Sequence, residues 1–563
     1  MLVAPPVSYP GVYIQEVQSD VRTIVGVETA TTAFIGRARR GPTDQPMVCN
    51  SYADFERIFG GLWLESALGY AVRDFFLNGG SKAVVIRVYN PTNGTSGRAQ
   101  FTIGDGNNML TLLAKYPGTW GKQLAARVIH IATDQDIAGG NNKATVAKAV
   151  ATQYGLEESD ANLLFTLVIR DLSTGATEIF DNVTVNKGPR QIKGVLEQGS
   201  QLVEVQLPAN GYKGTRPSMP LNPPDATKTR WSDPHTTVNP DDTSAKDGDS
   251  LTSAQILPQN GNLLKTGLYA LEDADIFNLL CIPPYNGNDV ETMKDVDGTV
   301  LTAADAYCKK RRAMLIIDPP SNPPGTQKAW DSVQLARENY PLKEFAPSTN
   351  AMVYFPRIAK ANPLRDNQVE PFAPSGTIAG IMARTDATRG VWKAPAGLEA
   401  SLAGVAELEK KLTDAENGEL NPLGINCLRT LPAAGHVVWG ARTTVGDDRL
   451  ANQWKYIPVR RTALFIEETI YRNIQWAVFE PNDEPLWSQL RLNIGVFMHG
   501  LFRQGAFQGQ SPKDAYFVKC DSTTTTQADI DKGIVNVVVG FAPLKPAEFV
   551  VVYIQQITGQ LIT

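Results

Sequence analysis

The chain has 563 residues, of which 42% are hydrophobic and 20% charged, a balance typical of globular proteins that excludes a disordered or fibrous one. Its 53 basic and 58 acidic side chains give a formal charge of −5, without the basic tail that would favour nucleic acid as a partner. At about 150 residues per domain, the length predicts three or four domains.

The first 95 residues predict an arm followed by a compact unit. Residues 1–30 contain one strand-like stretch, "YPGVYIQEV", whose β-forming side chains are Val12, Tyr13, Ile14 and Val17. Residues 31–95 predict a strand ("TTAFIG"), a helix capped by Ser51, a helix closed by Gly79 and a second strand ("KAVVIRVY"). The arm has no local partner strand, so we expect another element to hold it.

The middle of the chain predicts two kinds of β structure. Residues 96–262 are rich in Gly, Asn, Asp, Thr and Pro and contain short β-like runs. We interpret them as an inserted, mostly-β domain that includes a loop-rich segment from about 208 to 262. In residues 263–390 strands alternate with helices, which predicts a parallel sheet that the unit at 31–95 completes. The fold class is therefore predicted to be mixed α/β.

Residues 391–545 predict two long helices and then strands. In the first helix apolar residues follow helical spacing, and charged residues fall mostly on the other side: Arg460, Arg461, Glu467, Glu468 and Arg472. The second helix has Leu486, Leu490, Ile494, Phe497 and Leu501 in register. Strands are predicted in "DAYFVKC" and "GIVNVVVGFAP". A last strand is predicted within residues 546–563, at Val550, Val551, Val552, Tyr553 and Ile554.

The usual motifs of catalysis and cofactor binding are missing. "GTWGKQ" has a Gly-Lys pair, but its spacing is not that of a Walker motif and Gln stands where Ser or Thr would bind magnesium. The sequence contains no GxSxG elbow, and its four histidines lie far apart, outside any zinc-ligand spacing. We therefore expect no catalytic residues, no cofactor and no metal.

Cysteine usage and the apolar runs bear on the compartment. The five cysteines are scattered singly, which favours a reducing environment, and "MLVAPPVSYPG" lacks the features of a signal peptide. Apolar runs are shorter than the roughly 18 to 20 residues of a membrane helix. We expect the protein to be made and folded in a cytoplasm, without insertion into a membrane.

Five stretches carry a resemblance to a known family: "YPGVYIQEV", "TTAFIGRARRGP", "YPGTWGKQL", "GVWKAPAG" and the long run from "NPLGINCLRTLPAAGHVVWGARTT" to "YIPVRRTALFIEETIYRNIQWAVFEPNDEPLWSQL". They resemble the contractile tail sheath family of bacteriophage tails, pyocin-type particles and contractile injection systems. The resemblance covers both ends and most of the body. The segment from about 208 to 262 matches no part of the family that we can name.

The resemblance implies a structural protein that polymerises with itself as stacked hexameric rings around an inner tube protein, with baseplate and terminator proteins at the ends. Residues 1–30 and 546–563 would donate strands to neighbouring subunits, and residues 391–545 would face the tube. "GIVNVVVGF" and "EFVVVYI" would form the strand pair that accepts a donated strand. The charged helix side at Arg460, Arg461, Glu467, Glu468 and Arg472 is the candidate tube contact, and an ordinary solvated helix face is the alternative interpretation of the same pattern. Contraction would drive the tube through a target cell envelope without nucleotide hydrolysis.

Two other functions remain open from the sequence. The strands and helices of 263–390 also suit an α/β hydrolase-type enzyme, although the missing catalytic set counts against it. A baseplate or tube component of the same particle is the second alternative. It predicts that a chain without residues 1–25 still forms its usual oligomer.

Overall fold

The computed structural model describes residues 22–104, 109–130, 142–157, 161, 163–206, 216–218, 227, 231, 243–285, 295–320 and 345–553. Strands of the first half are β1 (Thr32–Gly36), β2 (Met47–Cys49), β3 (Ala83–Arg87), β4 (Gln100–Ile103), β5 (Leu110–Ala114), β6 (Leu124–Ile129), β7 (Phe165–Asp171), β8 (Thr177–Val183), β9 (Val203–Gln206) and β10 (Leu279–Cys281). Those of the second half are β11 (Met314–Ile317), β12 (Ala351–Phe355), β13 (Ile358–Asn362), β14 (Gln368–Phe372), β15 (Glu407–Leu408), β16 (Ile425–Leu431), β17 (Gly435–Trp439), β18 (Tyr516–Lys519) and β19 (Val538–Phe541).

The α-helices are numbered in the same way. They are α1 (Tyr52–Phe59), α2 (Leu68–Leu77), α3 (Asn142–Gln153), α4 (Ile192–Gly199), α5 (Ser253–Ile256), α6 (Gly261–Leu264), α7 (Gly298–Lys310), α8 (Ser375–Arg389), α9 (Asp414–Leu420), α10 (Ile457–Asn473), α11 (Glu484–Arg503), α12 (Pro512–Ala515) and α13 (Gln527–Asp531). Ser51 caps α1 by accepting a hydrogen bond from the amide of Asp54, as the sequence predicts. Within the described residues, no helix is long and apolar enough to cross a membrane.

An eight-stranded sheet organises the centre of the chain, in the order β17-β16-β12-β11-β10-β1-β3-β2. The six strands from β16 to β3 pair in parallel, and β17 and β2 close the two edges in antiparallel pairing. The predicted parallel sheet is confirmed, and the N-terminal strands β1 and β3 complete it as expected. The short edge strand β2 has no counterpart in the sequence prediction.

Each central strand is apolar on both faces because helices cover both sides of the sheet. Along β1, Ala33 and Ile35 belong to one buried cluster and Phe34 to the other. Residues of α7 share the first cluster, whereas α2 and α8 share the second. Gly376 and Gly380 permit the close packing of α8 on α2, because a Cβ at either position would collide with the α2 backbone.

Residues 96–262 contain two antiparallel three-stranded sheets, with the orders β4-β5-β9 and β6-β7-β8. Both sheets contribute to one buried apolar cluster that extends from Ala99 to Ala245. Much of the loop-rich stretch from 208 to 262 lies outside the described residues. The part of it that the structure describes includes the short helices α5 and α6, so this part is not only loop. The domain boundaries stay predictions.

Candidate assembly interface

Strands β18 and β19 form an antiparallel two-stranded sheet in which Tyr516 lies opposite Phe541 and Lys519 opposite Val538. One face packs on helix α11, where residues including Phe497, Met498 and Leu501 form a buried cluster with the sheet. Among the described residues, no further strand pairs with either member. Each strand therefore presents an open edge with unpaired backbone donors and acceptors.

The structure corrects the expected partner of β19. "GIVNVVVGF" was expected to pair with "EFVVVYI", but its strand pairs with Tyr516–Lys519 of "DAYFVKC". Helix α11 explains this pairing, because β18 and β19 pack on the same apolar surface. Pro543 and Pro546, which cannot donate a backbone hydrogen bond, separate β19 from the later segment and disfavour a hairpin there.

The segment after Glu548 is apolar and exposed. Residues Phe549, Val550, Val551, Val552 and Tyr553 are between 68% and 91% exposed and have no regular secondary structure. Side chains of this type favour a pleated, half-buried strand environment, which the segment does not find within the described chain. Ile554, the last residue of the predicted strand, lies outside the described residues, so the strand role of the five stays a prediction.

The N-terminal segment begins its described course along helix α10. The Arg22 guanidinium lies over the Trp476 ring, with 4.4 Å to the ring centroid. The Asn473 side chain accepts a hydrogen bond from the Val25 amide (3.3 Å) and donates one to the Val25 carbonyl (3.1 Å). The Val27 amide donates to the Thr469 hydroxyl at 3.3 Å. Side chains of α10 therefore hold residues 25–27 of the N-terminal arm in place.

The predicted arm strand itself cannot be placed. Val12, Tyr13, Ile14 and Val17 lie outside the described residues. Sequence reasoning missed Thr469 and Asn473 as holding residues, since an uncharged polar residue on an amphipathic helix gives no signal of its partner. Strand donation by residues 1–30 stays a prediction.

Two of the five charged residues proposed to meet a tube are buried in their own subunit. Arg461, 4% exposed, donates to both carboxylate oxygens of Asp386 (2.9 and 2.6 Å) and to the Thr29 carbonyl (3.0 Å). Glu468, 8% exposed, accepts from Arg312 at 2.8 Å and from Arg472 at 2.6 Å. Glu468 and Arg472 are four residues apart on the helix, a spacing that favours an ion pair.

The other three residues also have partners in the same chain. Arg472 donates to the Asp275 carboxylate at 2.8 Å. Arg460 donates to the Asn350 side chain at 3.1 Å and lies 3.5 Å from the Glu467 carboxylate, and burial lowers its pKa. This helix side therefore joins α10 to the body of the subunit. Contact of this helix with a tube stays a prediction. Glu467 is the most exposed of the five charged residues.

Buried titratable groups of the central sheet have structural partners. Asp318, just after β11, accepts hydrogen bonds from the Ser375 amide (2.8 Å) and hydroxyl (2.7 Å) at the start of α8. Burial raises its pKa to about 6. The five cysteines are buried, and burial raises the pKa of each thiol. Among the residues that the structure describes, no group of His, Cys, Asp and Glu side chains has the arrangement of a metal site.

Two family profiles match this chain and together cover just over half of it. The profile of the phage tail sheath protein central domain matches residues 260–444, and that of the phage tail sheath C-terminal domain matches residues 451–557. The second match contains α10, α11, β18, β19 and the exposed segment. The family resemblance stated from the sequence is confirmed.

Individual relatives agree with the profiles. The tail sheath protein of Vibrio phage KVP40 is 28% identical over 175 residues, which are 31% of this chain and 24% of the relative. A prophage major tail sheath protein of Pseudomonas aeruginosa strain UCBPP-PA14 is 25% identical over 291 residues, 50% of this chain and 67% of that protein. The chain thus matches about a quarter of the length of the phage relative.

The fold has solved counterparts. A sheath complex of an extracellular contractile injection system, PVC, in the contracted state aligns with this chain with a TM-score of 0.53 at 21% sequence identity. The alignment covers 98% of this chain and 99% of the chain in that structure. At this identity the likeness establishes the mixed α/β fold alone. The two profiles and the relatives assign the chain to a family: it belongs to the phage tail sheath family.

Proposed function

We propose that the chain is the structural subunit of a contractile tail sheath and polymerises around an inner tube as stacked hexameric rings. Family membership supports a structural role, and one solved structure with a similar fold is a sheath complex in a contracted state. The remaining partners would be baseplate and terminator proteins at the two ends. Assembly would take place in the bacterial cytoplasm, before the particle is released.

The proposed link between subunits is strand addition to the β18–β19 sheet. A strand donated by residues 550–554 of one copy, or by residues 12–17 of another, would satisfy the backbone groups of an open edge. The single observation that carries this proposal is the combination of a two-stranded sheet with open edges and an exposed apolar segment in one chain. Each donated strand would also cover apolar side chains that the isolated subunit leaves in water.

The proposed role of each domain uses the domain boundaries predicted from the sequence. Residues 31–95 and 263–390 would form the α/β sheath domain, 96–262 an outer domain, and 391–545 an inner domain that faces the tube. During contraction these bodies would move while the strand links remain paired.

Electron microscopy of two point variants tests the strand link. Val551→Pro removes a backbone donor and does not suit a paired strand, so it should abolish tubes while the subunit stays folded. Val551→Thr is the matched control, because it retains the donor and the β-branched shape. Ile14→Pro, and chains without residues 1–21, test the N-terminal arm in the same way. Tubes of normal length from Val551→Pro would remove the C-terminal strand from the proposal.

A further inference from the structure

Arg442, which lies three residues after β17, uses its guanidinium to join several parts of the C-terminal region. The side chain is fully buried. Its Nη1 donates to the carbonyl oxygens of Asn421 (3.0 Å) and Gly446 (3.2 Å) and to the Asp448 carboxylate (3.1 Å). These contacts hold Arg442 in the body of the subunit and leave Nε and Nη2 facing outward from this cluster.

The two remaining nitrogens bind one carboxylate, 106 residues further along the chain. Nε donates to Glu548 Oε1 at 2.7 Å and Nη2 donates to Oε2 at 2.5 Å, so the pair is bidentate. The Tyr456 hydroxyl lies 3.3 Å from the same Oε2. Burial alone would lower the pKa of Arg442, but the hydrogen bonds and charges of Glu548 and Asp448 raise it above its ordinary value.

Glu548 lies at a sharp boundary in the chain. Its side chain is 14% exposed, whereas the next five residues are largely exposed. Residues 544–549 line a cavity of about 910 Å³ together with residues of the preceding part of the chain such as Trp392 and Trp439. Up to Pro543 the chain is attached by Phe507, which bridges to Pro543, and by hydrogen bonds of Ala542.

Glu548 is therefore the only residue from 544 to 553 with a hydrogen bond or ion pair to the rest of the described chain. A buried, bidentate ion pair is directional, because both carboxylate oxygens must face the guanidinium fork. It fixes the orientation of the residue that carries it as well as its position.

We propose that the Arg442–Glu548 ion pair is the fixed root of the C-terminal arm, and that Glu548 is a positioning residue for strand donation. The pair sets the direction in which residues 549–553 leave the subunit. It also makes residue 549 the first position at which the arm can bend when neighbouring subunits move. The inference rests on the proposed function for its biological role, but the root itself is a property of the single subunit.

Glu548→Gln is the variant that tests the root. Its amide offers one acceptor oxygen, while its NH₂ group would face an Arg442 donor, so the bidentate contact is lost with little change in size. Lys545→Gln is the matched control, because it also removes one charge from the same segment, at an exposed position. Both variants keep the apolar residues 549–553 intact.

The readout is the distance distribution between spin labels on Val551→Cys and Leu398→Cys, measured on full-length protein diluted until light scattering shows monomers. Both positions are exposed, and the native cysteines are buried, so the introduced thiols should be labelled selectively. We expect a narrow distribution in the parent and in Lys545→Gln, and a distribution about twofold wider or more in Glu548→Gln, since a single hydrogen bond cannot replace a bidentate pair.

The two proposals fail separately. An unchanged width in Glu548→Gln overturns the root, whatever the protein assembles into. A widened distribution supports the root even if the parent protein never forms tubes, and that absence of tubes with tube protein present would count against the proposed function alone.

Discussion

The eight-stranded central sheet and the two-stranded C-terminal sheet differ in how their strands are paired and in how deeply their apolar side chains are buried. The central sheet places each strand between neighbours or at a short antiparallel edge, and Phe34 on β1 is fully buried. In the described part of the C-terminal sheet both strands are edges, and Phe517 on β18 is 50% exposed. The first sheet ends on both sides in short antiparallel strands, β17 and β2. In the second sheet each strand has one edge without a strand partner among the described residues, and an added strand would pair with that edge.

The sharpest form of this comparison is the same substitution in each sheet. Phe34→Ala should lower the free energy of unfolding by about 3–5 kcal/mol, because it leaves a cavity in a packed core. Phe517→Ala should change it by about 1 kcal/mol or less, since half of the ring is already in water. Urea denaturation of the two monomers measures both values. A large loss of stability in Phe517→Ala would mean that the C-terminal sheet is completed within the subunit.

Two neighbouring carboxylates on α10 differ in their surroundings, because Glu468 is buried against two arginines and Glu467 is exposed. Glu468→Lys places a cation beside Arg312 and Arg472, and breaking this partly buried cluster should cost about 3 kcal/mol, the low end for a buried ion pair. Glu467→Lys should cost within about 0.5 kcal/mol in the monomer, because its partner Arg460 is 3.5 Å away and its own side chain is exposed.

The Glu467→Lys variant also tests whether this helix contacts a tube during assembly. Slower tube-templated polymerisation of Glu467→Lys, with normal thermal stability, would support contact with a tube. Normal polymerisation of that variant would remove the helix from the tube contact.

The central sheet also has a pH-dependent element. Burial raises the pKa of Asp318 to about 6 in the folded chain, above the ordinary value of 3.8, so its ionisation opposes folding above that pH. Asp318→Asn should stabilise the protein by about 3 kcal/mol at pH 7, the free energy that corresponds to this difference in pKa. The advantage should shrink as the pH falls from 6 towards 4, where the native carboxyl becomes protonated in both states. A difference that is constant across pH 4 to 7 would contradict this account.

The most local expected effect concerns the contact of the N-terminal segment with α10. Asn473→Ala removes both hydrogen bonds to Val25 and should cost about 1 kcal/mol locally. Hydrogen exchange at residues 25–27 should accelerate, while exchange in the central sheet stays unchanged. Gln475→Ala is the control, since the Gln475 side chain donates to the Tyr471 carbonyl in its own turn and makes no described contact with residues 25–27. Equal protection in both variants would mean that Asn473 does not hold the arm.

Sequence reasoning succeeded where local pattern determines structure. Apolar strands alternating with helices predicted the parallel sheet, and the spacing of Leu486, Leu490 and Ile494 predicted the buried side of α11. It failed where partners distant in the chain decide. The pairing of β19 with β18 depends on the surface of α11, and the contact of Arg442 with Glu548 joins residues that no local pattern relates.

Charge on a helix was also a weak guide to exposure. Arg461 and Glu468 fall on the polar side of α10, yet Asp386 and Arg312 from other elements cover them. A helical pattern distinguishes apolar from polar positions, but not solvent from a buried ion pair.

The central claim is that the exposed segment of one copy pairs with the two-stranded sheet of another, and intermolecular cysteine crosslinking tests it most directly. One chain would carry Val551→Cys and a second would carry Val538→Cys or Phe517→Cys, mixed under assembly conditions and oxidised mildly. The account predicts disulfide-linked dimers of the two different chains in assembled material with at least one of the two sheet positions, and none in dilute monomers. Well-formed tubes without such dimers at either position would contradict it.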